Sequence, residues 1–249
     1  MITIKTQHAI ETMTKAGKLL AQIFVDLESY IKPGLSTLAV DTWIADRLSY
    51  DNLVSQSKGY GTYKHVSCIS LNDEVVHGVP RADRIIQDGD LVKVDVCAAW
   101  NGYCADMARC FFVGQVSDEA KKLAAVAQSS LDKGIEKALV GNHLTDISAA
   151  IQSEVERYSY GVVREFAGHG IGKRMHEEPE ILNYGKPGRG PVLRAGMAFA
   201  IEPMITQGNY AIRVMSDGWT AQTVDKSLAA HVEDTVIITE HGPQIITRL

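Results

Sequence analysis

Apolar residues in the first half of the chain recur at two different periods. Ile10, Met13, Gly17, Leu20, Phe24 and Leu27 fall three or four positions apart, which gives a helix one apolar face. Lys32-Pro33-Gly34 stops that helix, and a second is predicted from about Thr37 to Tyr50. The period then shortens to two. Leu91 to Trp100 and Tyr103 to Val113 both alternate, with Asn101-Gly102 between them. Asn-Gly between alternating apolar runs is a strong hairpin signal, because both turn residues tolerate positive φ. A two-residue turn sets Trp100 opposite Tyr103 and Cys97 opposite Asp106. Asp95 then lies diagonally beside Asp106 on the same face of the ribbon.

The second half repeats this order. Leu123, Val126, Ser130, Gly134 and Ala138 mark a long helix, and Gly141-Asn142 breaks it. Ile147, Ile151, Val155 and Tyr158 share one face of a further helix, and strands bearing His169, Glu202 and Glu233 follow. Two helix-helix-strand units about 107 to 110 residues apart predict an internal duplication. No linker-like stretch separates the halves, so one domain over residues 1–249 is expected. Gly185-Lys-Pro-Gly-Arg-Gly-Pro191 reads as a surface loop.

Composition narrows the class. At 249 residues and 45% hydrophobic, the chain can bury a full core without staples. A net charge of −5 and the lack of a basic run argue against a general nucleic-acid binder. Cys68, Cys97, Cys104 and Cys110 show no Cys-x-x-Cys spacing, so reduced thiols and a cytoplasmic setting are expected. The first residues lack an apolar signal region and no run of 18 apolar residues occurs, so neither secretion nor membrane insertion is expected.

The chemistry begins with the two aspartates. Carboxylates that close repel one another, and a metal ion is the usual compensation. Further donors stand elsewhere: His169 in a glycine-rich turn, Glu202 at the end of the apolar run from Met197, and Glu233 at the start of another. A carboxylate at the tip of an apolar strand is costly unless paired or bound to metal. Asp95, Asp106, Glu202 and Glu233 carry four charges, which two divalent ions cancel and one does not. An oxygen-rich set with one imidazole suits Mn, Fe or Co, with Zn also open. Any of these residues alone reads as an ordinary strand or turn residue. Two rival motifs fail. The glycines around His169 run Gly-x-Gly-x-Gly, which is not the dinucleotide loop. Position 180 is Glu, so His176-Glu177 does not open a His-Glu-x-x-His motif.

The order Asp95, Asp106, His169 in Gly-His-Gly, Glu202 in Ile-Glu-Pro, then Glu233 resembles the metal site of the methionine aminopeptidase and aminopeptidase P/prolidase group. Val66-Ser-Cys-Ile-Ser-Leu-Asn72, Val76-His77-Gly-Val-Pro80, Gly168-His-Gly-Ile-Gly172 and His176-Glu-Glu-Pro179 resemble the type I methionine aminopeptidases. The resemblance spans nearly the whole chain. It implies an α+β pita-bread fold, with two pseudo-symmetric halves around a curved antiparallel sheet. It implies two divalent ions (Co, Mn, Fe or Zn), one on Asp95, the other on His169 and Glu202, bridged by Asp106 and Glu233. Water activated between them would attack the first peptide carbonyl, with Glu202 carrying the proton onward.

His77 and His176 match the family's outer catalytic histidines, which also contact substrate. Tyr60, Tyr63, Cys68, His77, Met175, His176 and Trp219 match its substrate-binding positions. Four positions depart from the usual pattern: Met175 for Phe, Ser57 for Cys, Lys64 for Pro and His231 for Gln. The implied activity is removal of the initiator methionine from nascent chains and peptides whose second residue is small. The expected enzyme is a monomer whose partners are nascent N-termini, with ribosome docking left open. Only 32 residues separate His169 from Glu202, too few for the helical insert of type II enzymes. Aminopeptidase P and prolidase usually carry a large N-terminal domain, and none fits before Ile10. A relative that had lost catalysis would be expected to lack a ligand.

Overall fold

The computed structural model describes residues 1–249 throughout. Four helices form: α1 (Gln7–Tyr30), α2 (Thr37–Tyr50), α3 (Asp118–Ile135) and α4 (Leu144–Glu156). Thr6, Ser36 and Ser117 cap the first three, each accepting the backbone N–H of its helix's third residue. At α4 the roles reverse, and Asp146 accepts the N–H of the capping residue His143 at 2.8 Å. Two helix ends differ from the sequence pattern. α3 stops at Ile135, so Ala138 is buried in the turn beyond, where Gly141 N–H reaches the Leu193 carbonyl. Tyr158 likewise lies past the end of α4.

The strands are β1 (Val54–Ser55), β2 (Cys68–Leu71), β3 (Glu74–Val76), β4 (Leu91–Trp100), β5 (Tyr103–Phe112), β6 (Gly161–Val162), β7 (Gly168–Gly170) and β8 (Glu177–Ile181). The rest are β9 (Ala198–Ile201), β10 (Met204–Thr206), β11 (Ile212–Val214), β12 (Ala221–Thr223), β13 (Ala229–His231), β14 (Glu233–Thr239) and β15 (Gly242–Ile245). One large antiparallel sheet runs β1-β4-β5-β14-β9-β7-β8, with β2 also on β4 and β15 also on β14. Two small sheets, β13-β10-β6 and β11-β12-β3, flank it. The Asn-Gly hairpin has the predicted register, with Trp100 opposite Tyr103 and Cys97 opposite Asp106.

Two apolar cores lie between the helices and the large sheet. The first joins α1 and α2 to Val92, Val94, Val96 and Ala105; the second joins α3 and α4 to Phe199, Ile201, Val236 and Ile238. Strand residues alternate between faces, so Asp95, set between Val94 and Val96, points away from the first core. The halves repeat in detail. Ser36 bridges Ile85 and His143 bridges Val192, each residue of the second pair 107 positions after its counterpart. Gly34 N–H to the Ile86 carbonyl and Gly141 N–H to the Leu193 carbonyl repeat at the same offset. The fold is the α+β pita-bread architecture.

Candidate metal centre and its cavity

Five elements bring four acids and one histidine together. Asp95 comes from β4, Asp106 from β5, His169 from β7, Glu202 from the end of β9 and Glu233 from the start of β14. β5, β14, β9 and β7 are successive neighbours in the sheet, so these side chains converge from one face. His169 sits in a three-residue strand, as the repeated order of elements predicted, and not in the turn that its flanking glycines suggested. A Cβ on Gly168 would lie 2.4 Å from the Ala200 carbonyl oxygen, and one on Gly170 would lie 2.1 Å from that of Glu178. The flanking glycines therefore let β7 fit between β8 and β9, which aims the imidazole at the carboxylates.

His169 Nε2 lies 3.8 Å from Asp106 Oδ2 and 3.5 Å from Glu202 Oε1. Its Nδ1 is 3.0 Å from the Gly170 carbonyl oxygen. A carbonyl only accepts, so Nδ1 carries the proton and Nε2 keeps its lone pair for the cluster. Burial lowers the His169 pKa to about 4, with His176 adding to the effect, so the imidazole is neutral near pH 7.

The carboxylates show the electrostatic cost of this convergence. Burial raises Asp95, Glu202 and Glu233 well above the usual carboxylate range, and in each case the charge of Asp106 adds to it. Asp106 rises to about 6 through burial, offset in part by hydrogen bonds, including the Met107 N–H at 3.1 Å. The backbone that carries the acids is pinned from behind. Thr235 Oγ1 accepts the Asp106 N–H and donates to the Asp106 carbonyl, both at 2.8 Å. Asp234, next to Glu233, is held by Arg109, Arg248 and Thr247.

The donor set fits divalent metal. Ligand atoms of Asp106, His169 and Glu233 all lie within 4.8 Å of one another, as do those of Glu202, His231 and Glu233. Glu233 Oε1 and His231 Nε2 are buried without any hydrogen-bond partner. Buried polar atoms without a partner are costly, and an ion among them would remove that cost.

The cluster opens into a cavity of about 700 Å³, and every site residue expected from the sequence lines it. Tyr60, Tyr63, Cys68, Met175 and Trp219 form its aromatic and sulfur-bearing wall. Tyr63 is buried, with its hydroxyl donating to the Ser67 carbonyl at 2.9 Å, and its ring meets that of Trp219 edge-on at 5.1 Å. Tyr60 is more exposed; its hydroxyl lies 3.2 Å from His176 Nδ1. The rings of His176 and His169 meet edge-on at 4.4 Å. His77 has a positive φ of 59°, a conformation few non-glycine residues adopt outside turns and functional sites. Burial, with His176 adding, lowers its pKa to about 4.

Several residues of the site carried no signal in the sequence. Phe166 packs edge-on against His77 at 4.9 Å. Asp41, on α2, accepts the N–H groups of Val66 and Ser67 at 3.0 Å and so fixes the approach to Cys68. His231, noted in the sequence only as a departure from the usual Gln, lies 3.6 Å from Glu202 Oε2.

Known proteins resemble this chain in sequence and fold. Residues 11–240 match the family model described as metallopeptidase family M24. A methionine aminopeptidase of Clostridium acetobutylicum is 49% identical over 247 residues, 99% of both chains. The crystal structure of a methionine aminopeptidase from Thermotoga maritima superposes with a TM-score of 0.98 at 42% identity, covering all of both chains. A Xaa-Pro dipeptidase from Bacillus anthracis shares the fold at a TM-score of 0.80 and 24% identity, with 99% of this chain covering 62% of that one. The chain belongs to metallopeptidase family M24, among its methionine aminopeptidases.

Proposed function

We propose that the chain hydrolyses the peptide bond after an N-terminal methionine, in peptides and nascent proteins whose second residue is small. One observation carries this reading: a single cavity joins the carboxylate cluster to the wall of Tyr60, Tyr63, Cys68, Met175 and Trp219. A thioether side chain suits such a wall through dispersion and sulfur–aromatic contact.

Asp95, Asp106, His169, Glu202 and Glu233 would hold two divalent ions, Co, Mn, Fe or Zn. Charge balance supports the number, because four buried carboxylates need four positive charges. Such ions supply Lewis acidity and a water of lowered pKa. The chain's own groups do the rest. Glu202 receives the proton of the attacking water and returns it to the leaving amine. His77 and His176 are neutral near pH 7 because burial lowers both pKa values, so each can donate one ring N–H to the carbonyl oxygen as charge develops on it. The Tyr60 hydroxyl orients His176.

Nascent N-termini are the partners that fit this chemistry. No helix is long and apolar enough to cross a membrane. A cytoplasmic site of action is consistent with four cysteines that are all free. The test is cleavage of Met-Ala-Ser beside Met-Lys-Ser by metal-loaded protein. Release of methionine from the first alone supports the reading. Cleavage of X-Pro peptides with Met-Ala-Ser untouched would overturn it.

A further inference from the structure

We propose that His231 is an additional metal ligand, binding through Nε2 at the ion position of Glu202 and Glu233, whose ligand atoms lie within 4.8 Å of it. This rests on the metal-site reading above and adds a donor to it. His231 ends β13, whose pairing with β10 sets it opposite Met204. It lies two residues before Glu233 in extended chain, so the two side chains leave the same side of the backbone. The imidazole is 98% buried. Its Nε2 has no hydrogen-bond partner.

That nitrogen lies 3.6 Å from Glu202 Oε2, too far for a hydrogen bond. The other Glu202 oxygen is 3.5 Å from His169 Nε2. Glu202 is thus set between two imidazoles at almost equal distances. Ligand atoms that share one ion through bonds of about 2.1 Å stand roughly 3–4 Å apart. Hydrogen-bonded pairs stand closer, and repelling groups need not converge at all. The family pattern that the sequence resembles usually has Gln where this chain has His231, and an amide oxygen is a weaker and harder donor. An imidazole there would shift this ion position toward Co²⁺ and Zn²⁺ relative to Mn²⁺.

The experiment pairs His231→Gln with His169→Gln in the full-length protein. Metal-free samples labelled with ¹⁵N-histidine are titrated with Zn²⁺ and followed by long-range ¹H–¹⁵N correlation. Calorimetry with Zn²⁺ and Co²⁺ runs beside it, and thermal melts of the metal-free proteins check folding. The expected result is that Zn²⁺ shifts the Nε2 resonances of both His169 and His231. Each shift is lost in its own variant. His231→Gln should weaken one of the two binding events at least about tenfold, the lower range for disturbing a ligand set. If two ions bind but only His169 shifts, and His231→Gln binds both with unchanged affinity, His231 is not a ligand and the metal centre stands without it. If the unsubstituted protein binds no ion, the metal reading itself fails, and this proposal with it.

Discussion

Cys97 stands directly across the β4–β5 ladder from Asp106, and that single pairing puts Asp95 beside Asp106 on the cavity face. A one-residue slip in register would have sent one of the aspartates into the apolar core. The Asn101-Gly102 turn, with φ of 47° and 78°, prevents the slip by fixing the two-residue loop. The acid pair is thus a consequence of turn chemistry, and its repulsion is what a metal centre would offset.

If Asp106 bridges two ions, Asp106→Asn should abolish turnover even in excess metal. An amide of the same size keeps the backbone contacts with Thr235 but removes the charge. Steady-state kinetics at saturating Co²⁺ or Mn²⁺ check this, with calorimetry reporting bound ions. Rates like those of the unsubstituted protein would exclude the bridging role.

The three cavity histidines should separate by what they lose. His169→Ala is expected to lower bound metal and activity together. His77→Ala and His176→Ala should keep their metal and lower kcat by about 10²–10³-fold, as when a donor to a developing oxyanion is removed. Metal analysis beside kinetics decides the matter. Loss of metal from His176→Ala would assign it a different role.

Much of this was legible in the sequence, and the remainder failed for identifiable reasons. The helices showed through apolar spacing and the β4–β5 hairpin through alternation around Asn101-Gly102. The halves showed through their repeated order, Asp95 and Asp106 through the hairpin register, and Glu202 and Glu233 through their placement at strand ends. The glycines around His169 read locally as a turn, because a three-residue strand between glycines has no period to detect, and only the repeated order of elements pointed to a strand there. Its strand character comes from contacts with β8 and β9, segments remote from it or joined by irregular loops. His231 showed in the sequence only as a departure from the usual Gln, with nothing to place it beside the acids. Its closeness to Glu202 depends on the packing of β13 on β10. Phe166 and Asp41 also act through tertiary contacts alone.

Gly170→Ala should be severe for so small a change. The new Cβ would meet the Glu178 carbonyl at 2.1 Å, and backbone cannot yield cheaply there. A cost of about 1–3 kcal/mol is expected from overpacking, together with weaker metal binding as β7 moves. Denaturant unfolding and calorimetry measure the two effects. An unchanged midpoint would mean that β7 is not tightly held between its neighbours.

Acid should weaken the metal centre. Without metal, burial raises the carboxylates, Asp106 to about 6 and the others well above the usual range, so they retain protons that an ion must displace. A carboxyl whose folded pKa is raised binds more protons folded than unfolded. The metal-free protein therefore loses stability from these groups as pH rises above about 4 and through their folded values. His169 and His77, depressed to about 4, act in the opposite sense, losing stability as pH falls below about 6.5, and because both are neutral above about 4 with or without metal they leave the difference between loaded and metal-free protein unchanged there. The gap in Tm between loaded and chelated protein should accordingly widen as pH rises from about 5 to 7.5. A gap independent of pH would show that the acids are not the ligands.

Hydrolysis of Met-Ala-Ser by protein reconstituted with a divalent ion tests the central claim most directly, with norleucine-Ala-Ser, Ala-Ala-Ser, Met-Lys-Ser and an X-Pro peptide beside it. One methylene or its equivalent in such a pocket is worth only about 1–3 kcal/mol, so norleucine should be a fair substitute. The expected result is metal-dependent release of methionine from Met-Ala-Ser and of norleucine from its analogue, with the other three spared and chelation stopping the reaction. Metal-loaded protein that leaves Met-Ala-Ser intact while cutting the X-Pro peptide, or a chelated protein that cuts Met-Ala-Ser at full rate, would contradict it.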